Sequence, residues 1–93
     1  MEFIDVAWRH HKVEDPVRLV SELNSGRYET RKLEFFPDGR VGFASSEASS
    51  NNTELGVVPV PSVEEINSDP QFHASNIERQ EFEALWLQYA KNT

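Results

Sequence analysis

The segment RYETRKLEFFPDGRVGFA, residues 27–44, decides how this chain folds. Apolar side chains alternate with polar ones on both sides of its central FPDG, which is the period of a half-buried strand. Pro37 presets its own φ angle, and Gly39 adopts a left-handed conformation without steric cost, so FPDG predicts a tight return of the chain. We therefore predict two antiparallel strands over residues 27–36 and 40–44.

Two more strands are predicted upstream, over residues 1–10 and 17–23. Ile4, Val6 and Trp8 alternate with other side chains in the first, and Asn24-Ser25-Gly26 supplies turn-forming residues after the second. Four strands with short connections predict an antiparallel meander. Residues 45–52 are rich in Ser and Asn and predict a surface loop. Residues 55–60 could add a short edge strand, or lie extended over the sheet because two prolines interrupt the ladder donors.

Two helices are predicted after residue 61. Ser62-Val63-Glu64-Glu65 is a capping box, which predicts a short helix with Val63 and Ile66 on its buried side. Asp69-Pro70 ends it, and Phe72 is expected to plug the core. A second helix is predicted over residues 78–91, with an apolar stripe at i, i+3, i+4 and i+7 formed by Phe82, Leu85, Trp86 and Tyr89.

These elements predict an α+β fold in which an antiparallel sheet of about four strands carries both helices on one face. The 93 residues, of which 38% are hydrophobic, suffice for one domain and not for two, so we expect a single domain over residues 1–93.

The net charge and the absence of targeting signals exclude several classes of protein. The net charge of −7 argues against binding to nucleic acid or to anionic lipid. No window approaches 18 consecutive apolar residues, and the first ten residues lack the basic and apolar regions of a secretory signal. The chain contains no cysteine, which fits a reducing compartment. We expect a soluble cytoplasmic protein that uses no cofactor.

The negative charge is concentrated in the second half of the sequence. Residues 1–42 carry seven Lys and Arg against eight Asp and Glu, whereas residues 43–93 carry two against eight. This excess either serves solubility or forms a docking surface for a cationic partner.

The three histidines are the only candidates for metal or acid–base chemistry. His10 and His11 are adjacent on a predicted strand and so point to opposite faces, and His73 lies far downstream. No cysteine or nucleophile-elbow serine accompanies them. We therefore predict no metal site and no catalytic residue.

Charged side chains alternate along the third strand. Period 2 places Arg27, Glu29 and Arg31 on one face together with Leu33, and Glu22 on the neighbouring strand is expected to pair with one of the arginines. The predicted role is a cross-strand ion ladder; the alternative is a small anion pocket built around Arg31.

A partner-binding patch is predicted on the helices. Leu87 falls opposite the apolar stripe of the last helix and should be exposed beside Glu83. With Glu64, Glu65 and Asp69 from the preceding helix, it could form an apolar anchor inside an acidic rim, the usual anatomy of a protein-binding surface.

Segments throughout the chain resemble a family of short bacterial proteins that consist of one domain of unknown function. They are WRH at 8–10, SEL at 21–23, RYETRK at 27–32, DGR at 38–40, LGVVPVPS at 55–62, EEINSDPQF at 64–72, EF at 81–82 and the tryptophan at 86. The resemblance implies no activity or catalytic residue. In size and charge the chain also looks like the small acidic immunity proteins of bacterial toxin systems.

The leading hypothesis is a non-enzymatic binding protein, specifically a cytoplasmic immunity protein that neutralises a cationic toxin domain such as a basic nuclease. The alternative is a generic interaction or regulatory domain with an unrelated protein partner, in which the acidity serves solubility alone. A small enzyme that uses His10 or His73 is the third hypothesis.

Overall fold

The computed structural model describes residues 1–50 and 53–90 and contains one antiparallel sheet with two helices. Its strands are β1 (Glu2–Trp8), β2 (Arg18–Leu23), β3 (Glu29–Phe35), β4 (Val41–Ser45) and β5 (Phe72–Asn76), and its helices are α1 (Val63–Asn67) and α2 (Arg79–Tyr89). The strand order is β4-β3-β2-β1-β5. The predicted α+β class is confirmed.

The four predicted strands form the predicted meander. Val20 on β2 lies opposite Leu33 on β3, which lies opposite Phe43 on β4. Gly39 has a φ of 92° in the tight return between β3 and β4, as predicted. In the turn between β2 and β3, however, the residue with positive φ is Arg27, at 65°, and not a glycine.

The fifth strand is not the predicted one. Residues 55–60 contain no strand. The backbone amide of Val60 instead donates to the carbonyl of Arg27 at 2.8 Å, and this bond attaches the segment to the turn between β2 and β3. Pro59 has no amide to donate to a ladder. Phe72, predicted to plug the core, packs half-buried against a core cluster that includes Ile4 and Val6. It also begins β5, a strand that was not predicted, which pairs with β1 and places Phe72 opposite Trp8.

The first core lies between the sheet and α2. Its buried members are Phe3, Val20, Leu33, Phe43 and Phe82, one from each of the first four strands and one from the helix. The remaining residues of the predicted stripe, Leu85, Trp86 and Tyr89, pack against this core. The predicted helical stripe is thus confirmed, whereas the predicted helix end at Lys91 lies outside the described residues.

The second core lies on the opposite face, under α1. It contains Ile4, Val6, Leu23 and Ala74, with Val63 and Ile66 of α1 packed against it. The predicted cap is present, since the Ser62 hydroxyl accepts the amide of Glu65 at 3.1 Å. The helices therefore cover two faces rather than one, because β1 is apolar on both sides of its pleat and each side needs a cover.

The loop after β4 folds back onto its own strand. The Ser50 hydroxyl accepts the amide of Phe43 at 2.8 Å, and the amide of Ser50 donates to the carbonyl of Phe43 at 2.9 Å. Asn51 and Asn52, the last residues of the predicted surface loop, lie outside the described residues. No helix in the described part of the chain is long and apolar enough to cross a membrane.

Candidate functional site

The predicted partner-binding residues lie in two separate places. Glu64 and Glu65 are exposed on α1, and Asp69 is exposed just after it, whereas Glu83 and Leu87 belong to α2 on the other face of the sheet. Leu87 is 83% exposed, as predicted. The five residues therefore do not form one surface.

Glu83 is held by the sheet. Arg31 donates to both carboxylate oxygens of Glu83, from Nη1 at 3.0 Å and from Nη2 at 2.7 Å. The same guanidinium donates to Glu22 at 3.0 and 2.6 Å and lies 4.8 Å from the ring centre of Phe82. The hydrogen bonds from Arg31 lower the pKa of both Glu22 and Glu83, and these two carboxylates raise the pKa of Arg31. The cluster fastens α2 to the sheet.

This cluster corrects two predictions about β3. Glu22 does pair with an arginine, but Arg31 is enclosed by two carboxylates and is not the centre of an anion pocket. The ladder of Arg27, Glu29 and Arg31 on one face is also wrong. A β-bulge makes Arg31 oppose Glu22 and Glu29 oppose Leu23, so Thr30 is an extra residue and Glu29 moves to the other face.

An open groove lies on the α1 face of the sheet. It has a volume of about 390 Å³ and is mostly apolar, with the side chains of Ile4, Val6, Leu19, Val60, Pro61, Ile66 and Phe72 along its walls. Its polar lining consists of Ser21, Glu29, Glu65 and Asp69. We call this cavity the α1 groove.

The groove exists because α1 is too short to cover the second core. Five residues of helix span about 7.5 Å, less than half of the length of a seven-residue strand. Four apolar residues of the lining are consequently only half-buried: Leu19, Val60, Ile66 and Phe72. In the core between the sheet and α2, by contrast, Leu33 and Phe82 have no exposed surface.

One of the lining carboxylates is nearly buried. The side chain of Glu29 is 10% exposed. Its Oε1 accepts the amide of Gly56 at 2.6 Å and Lys32 Nζ at 3.2 Å, while its Oε2 accepts the Ser21 hydroxyl at 3.3 Å. A Cβ on Gly56 would lie 3.1 Å from Oε1, so only glycine allows the backbone this approach without displacing Glu29.

The segment 56–61 contributes Val60 and Pro61 to the lining of the groove and is anchored at both ends. Gly56 is bound to Glu29, and Arg27 donates from Nε to the carbonyl of Val60 at 2.9 Å and from Nη2 to that of Pro61 at 2.7 Å. Between these anchors, Val57 and Val58 are 88% and 66% exposed. Two apolar side chains thus face solvent beside the groove.

Glu65 and Asp69 leave the rim of the groove negatively charged. Within residues 1–50 and 53–90, seven of the sixteen acidic side chains form ion pairs, and neither Glu65 nor Asp69 is among them. No Lys or Arg side chain belongs to the described lining. The groove therefore presents apolar walls with a net negative rim.

The histidines are separated. His10 lies beyond the end of β1, where its Nε2 hydrogen-bonds the carbonyl of Pro16 at 2.8 Å and its Nδ1 accepts the amide of Lys12 at 3.0 Å. His73 is exposed on β5, opposite Ala7. In the part of the chain that the structure describes, no group of three or more potential ligands could hold a metal ion.

A family model described as a domain of unknown function, DUF6881, matches residues 2–91. The chain belongs to this family. The resemblance to small single-domain proteins of unknown function is thereby confirmed. No curated protein and no solved structure matches the chain.

Sequence reasoning missed part of the site in this DUF6881 chain. The sequence predicts a possible edge strand for Val57 and Val58 and an ion ladder for Glu29, and neither prediction points to a groove. The available signal was the run GVVPVP, because prolines at 59 and 61 exclude a regular ladder while valines remain to be placed. The position of Glu29 had no such signal, since it depends on the bulge at Thr30.

Proposed function

We propose that this chain is a non-enzymatic binding protein that takes a cationic protein partner on the α1 face of its sheet. The more specific form of the proposal is a cytoplasmic immunity protein that neutralises a basic toxin domain, such as a nuclease. The observation that carries the proposal is the α1 groove, an apolar cavity whose rim residues Glu65 and Asp69 have no ion-pair partner in the described chain.

The distribution of ion pairs supports a cationic partner. Arg18, Arg27, Arg31, Lys32 and Arg40 of the sheet half are each bound to at least one carboxylate. Glu64, Glu65 and Asp69, on and directly after α1, have no such neighbour within residues 1–50 and 53–90, so the net local charge there is negative. A field of one sign steers an oppositely charged partner and discriminates against partners of the same sign.

The apolar parts of the α1 face support a protein partner rather than a diffuse counter-ion atmosphere. Binding surfaces combine a desolvated apolar centre with a polar rim. Here the half-buried walls of the groove and the exposed Val57 and Val58 supply the first, and Glu64, Glu65 and Asp69 supply the second.

The test is a stopped-flow titration against the C-terminal domain encoded by the reading frame next to the gene of this chain. We expect a basic toxin domain whose association rate falls at least about tenfold between 0.01 M and 1 M salt, as the screening length shrinks from about 30 Å to about 3 Å. A neighbouring frame that encodes no toxin, or a toxin domain that does not bind, would overturn the immunity function. Binding with a salt-independent rate would overturn the electrostatic account.

A generic interaction domain, whose acidity serves solubility, is the second candidate. The observation that favours it is the spread of unpaired acids beyond the groove, for example Glu14, Glu47 and Glu81, among the described residues. In that case, replacing Glu64, Glu65 and Asp69 by their amides would leave the affinity for the partner unchanged.

A further inference from the structure

Resting on the proposed function, we infer that the α1 groove seats a single arginine side chain of the partner. The stem of that side chain would lie along the apolar walls, and its guanidinium would bind the carboxylates of Glu65 and Asp69. The inference names the chemistry that the site selects, which the general proposal of a cationic partner leaves open.

The walls of the groove fit the stem. Leu19, Ile66 and Phe72 are half-buried and line the same cavity, so each has apolar surface left to cover. A volume of about 390 Å³ is at the small end for ligand pockets, which suits one extended side chain better than a folded element. Long basic side chains bury their methylene groups against apolar surface while the charged head remains at the rim.

The rim fits the head group. Glu65 lies on α1, Asp69 lies two residues after the last residue of that helix, and both line the groove. Two exposed carboxylates in one lining suit the planar, forked guanidinium, which donates several hydrogen bonds in fixed directions and is less strongly hydrated than an ammonium group. The backbone amide of Gln71 donates to Asp69 Oδ1 at 2.9 Å, and this hydrogen bond orients the Asp69 carboxylate.

The inner carboxylate adds a further acceptor. Within the described residues Glu29 Oε1 receives two donors, but Oε2 receives only the Ser21 hydroxyl, at the long distance of 3.3 Å. Lys32 is shared between Glu29 and Glu34, at 3.2 and 3.7 Å, and is not part of the groove lining. The lining therefore offers acceptors from three acidic side chains and no cationic side chain of its own, which excludes an anionic head group.

The test uses n-butylguanidinium, which reproduces an arginine side chain, with n-butylammonium and neutral n-butylurea as matched probes. We expect amide chemical-shift changes in two-dimensional NMR at Leu19, Ile66 and Phe72, with a dissociation constant on the order of 1–10 mM for the guanidinium. The double variant Glu65→Gln/Asp69→Asn should bind it at least about tenfold more weakly. Glu14→Gln/Glu47→Gln removes the same charge outside the groove and should bind within about twofold of the unmodified chain.

Each other result overturns the inference. No shift changes at the groove, equal binding of butylurea, or equal loss in both double variants would exclude an arginine seat formed by these carboxylates. Butylammonium binding as tightly as butylguanidinium would remove the preference for arginine. Spectra that are unchanged away from the groove establish that the variants fold. If the toxin domain binds while the guanidinium does not, the inference fails and the proposed function stands; the proposed function fails only if the domain itself does not bind.

Discussion

At the scale of single residues, Arg27 combines an unfavourable backbone with several favourable contacts. Its φ of 65° lies in the left-handed region, which costs a residue with a Cβ roughly 1–2 kcal/mol. Its guanidinium binds the carbonyls of Val60 and Pro61 and, at 2.7 Å, the carboxylate of Glu2. These bonds hold the wall of the α1 groove and offset the backbone cost.

We predict that Arg27→Ala and Arg27→Gly both destabilise the chain, but unequally. Both variants lose the three hydrogen bonds of the Arg27 guanidinium. A hydrogen bond that involves a charged group contributes about 1.5–3 kcal/mol. Glycine also relieves the left-handed strain, against a smaller entropy cost, so Arg27→Gly should be the more stable variant by about 0.5–1 kcal/mol. Urea unfolding of the two purified variants measures this difference. An alanine variant that equals or exceeds the glycine variant would show that the backbone is unstrained.

The Arg31 cluster predicts how stability depends on pH. The pKa of Glu22 is lowered chiefly by its hydrogen bonds with Arg31, and that side chain is 7% exposed. A carboxyl group whose pKa is lower in the folded chain contributes stability above its unfolded pKa and loses it as pH falls through the folded value. The stabilisation from this pair is therefore present near neutral pH and lost in acid.

We predict that Glu22→Gln costs about 2–4 kcal/mol at about pH 7, because it removes a nearly buried carboxylate and leaves the half-buried Arg31 with Glu83 alone. The cost should be smaller at about pH 3, which is below the pKa of about 4.3 of a glutamate in an unfolded chain, because part of the stabilisation by the carboxylate is already lost there. The free energy of unfolding in urea at both pH values gives the comparison. If Glu22→Gln lowers the free energy of unfolding by the same amount at both pH values, the ion pair does not cause the pH dependence of stability.

Residue patterns predicted some of this chemistry and not the rest. The pairing of Glu22 with an arginine and the turn at Gly39 follow from local rules of strand pairing and turn geometry. The face of Glu29 does not, because one extra residue at Thr30 reverses the alternation for everything before it. No residue type around Thr30 marks the bulge in the sequence, so the alternation of side chains assigned Glu29 to the wrong face of the sheet.

At the scale of elements, both edges of the sheet are partly closed by their own chain. On β5, Asn67 donates from Nδ2 to the carbonyl of Ala74 at 2.9 Å and accepts the amide of Ala74 at 2.6 Å, as a neighbouring strand would. On β4, Ser50 makes the equivalent pair of bonds with Phe43. Edges blocked in this way resist pairing with a strand of another chain. A partner would therefore bind to the faces of the molecule rather than add a strand to the sheet.

We predict that Asn67→Ala lowers the free energy of unfolding by about 1 kcal/mol, since two hydrogen bonds are lost at an exposed edge. It should also increase self-association, because the amide and carbonyl of Ala74 become free to pair. Sedimentation velocity over a range of concentrations measures the second effect. Ser68→Ala is the control, since the Ser68 hydroxyl donates to the carbonyl of Glu65 at 2.6 Å, within the helix end rather than to the edge of the sheet. Equal association of both variants would mean that Asn67 does not protect the edge.

Elements with a strong period or cap were predictable, and those that depend on tertiary pairing were not. The capping box at Ser62 and the stripe from Phe82 to Tyr89 gave α1 and α2. The strand at Phe72–Asn76 was missed because HASN has weak strand propensity and is stabilised by its pairing with β1. Once β5 lies beside β1, α1 before it and α2 after it can reach opposite faces.

At the scale of the whole molecule, the charge asymmetry of the sequence becomes an asymmetry of surfaces. The cations of residues 1–42 are largely used in ion pairs within the sheet and to α2, so Glu65 and Asp69 of the α1 groove are left without an ion-pair partner in the described chain. Counting residues predicted the acidic half. It did not predict that the helices lie on opposite faces, which divides the predicted patch and leaves Glu64, Glu65 and Asp69 beside an apolar cavity.

We propose above that the α1 groove is the binding site for a cationic partner. The most direct test of this proposal is the dissociation constant of the neighbouring-frame toxin domain for Glu65→Gln/Asp69→Asn, compared with that for Glu14→Gln/Glu47→Gln. The two variants have the same net charge, so their long-range attraction to the partner is matched. We predict at least about tenfold weaker binding for the groove variant and a change within about threefold for the control. Equal weakening of the two, or no weakening of either, would contradict the claim.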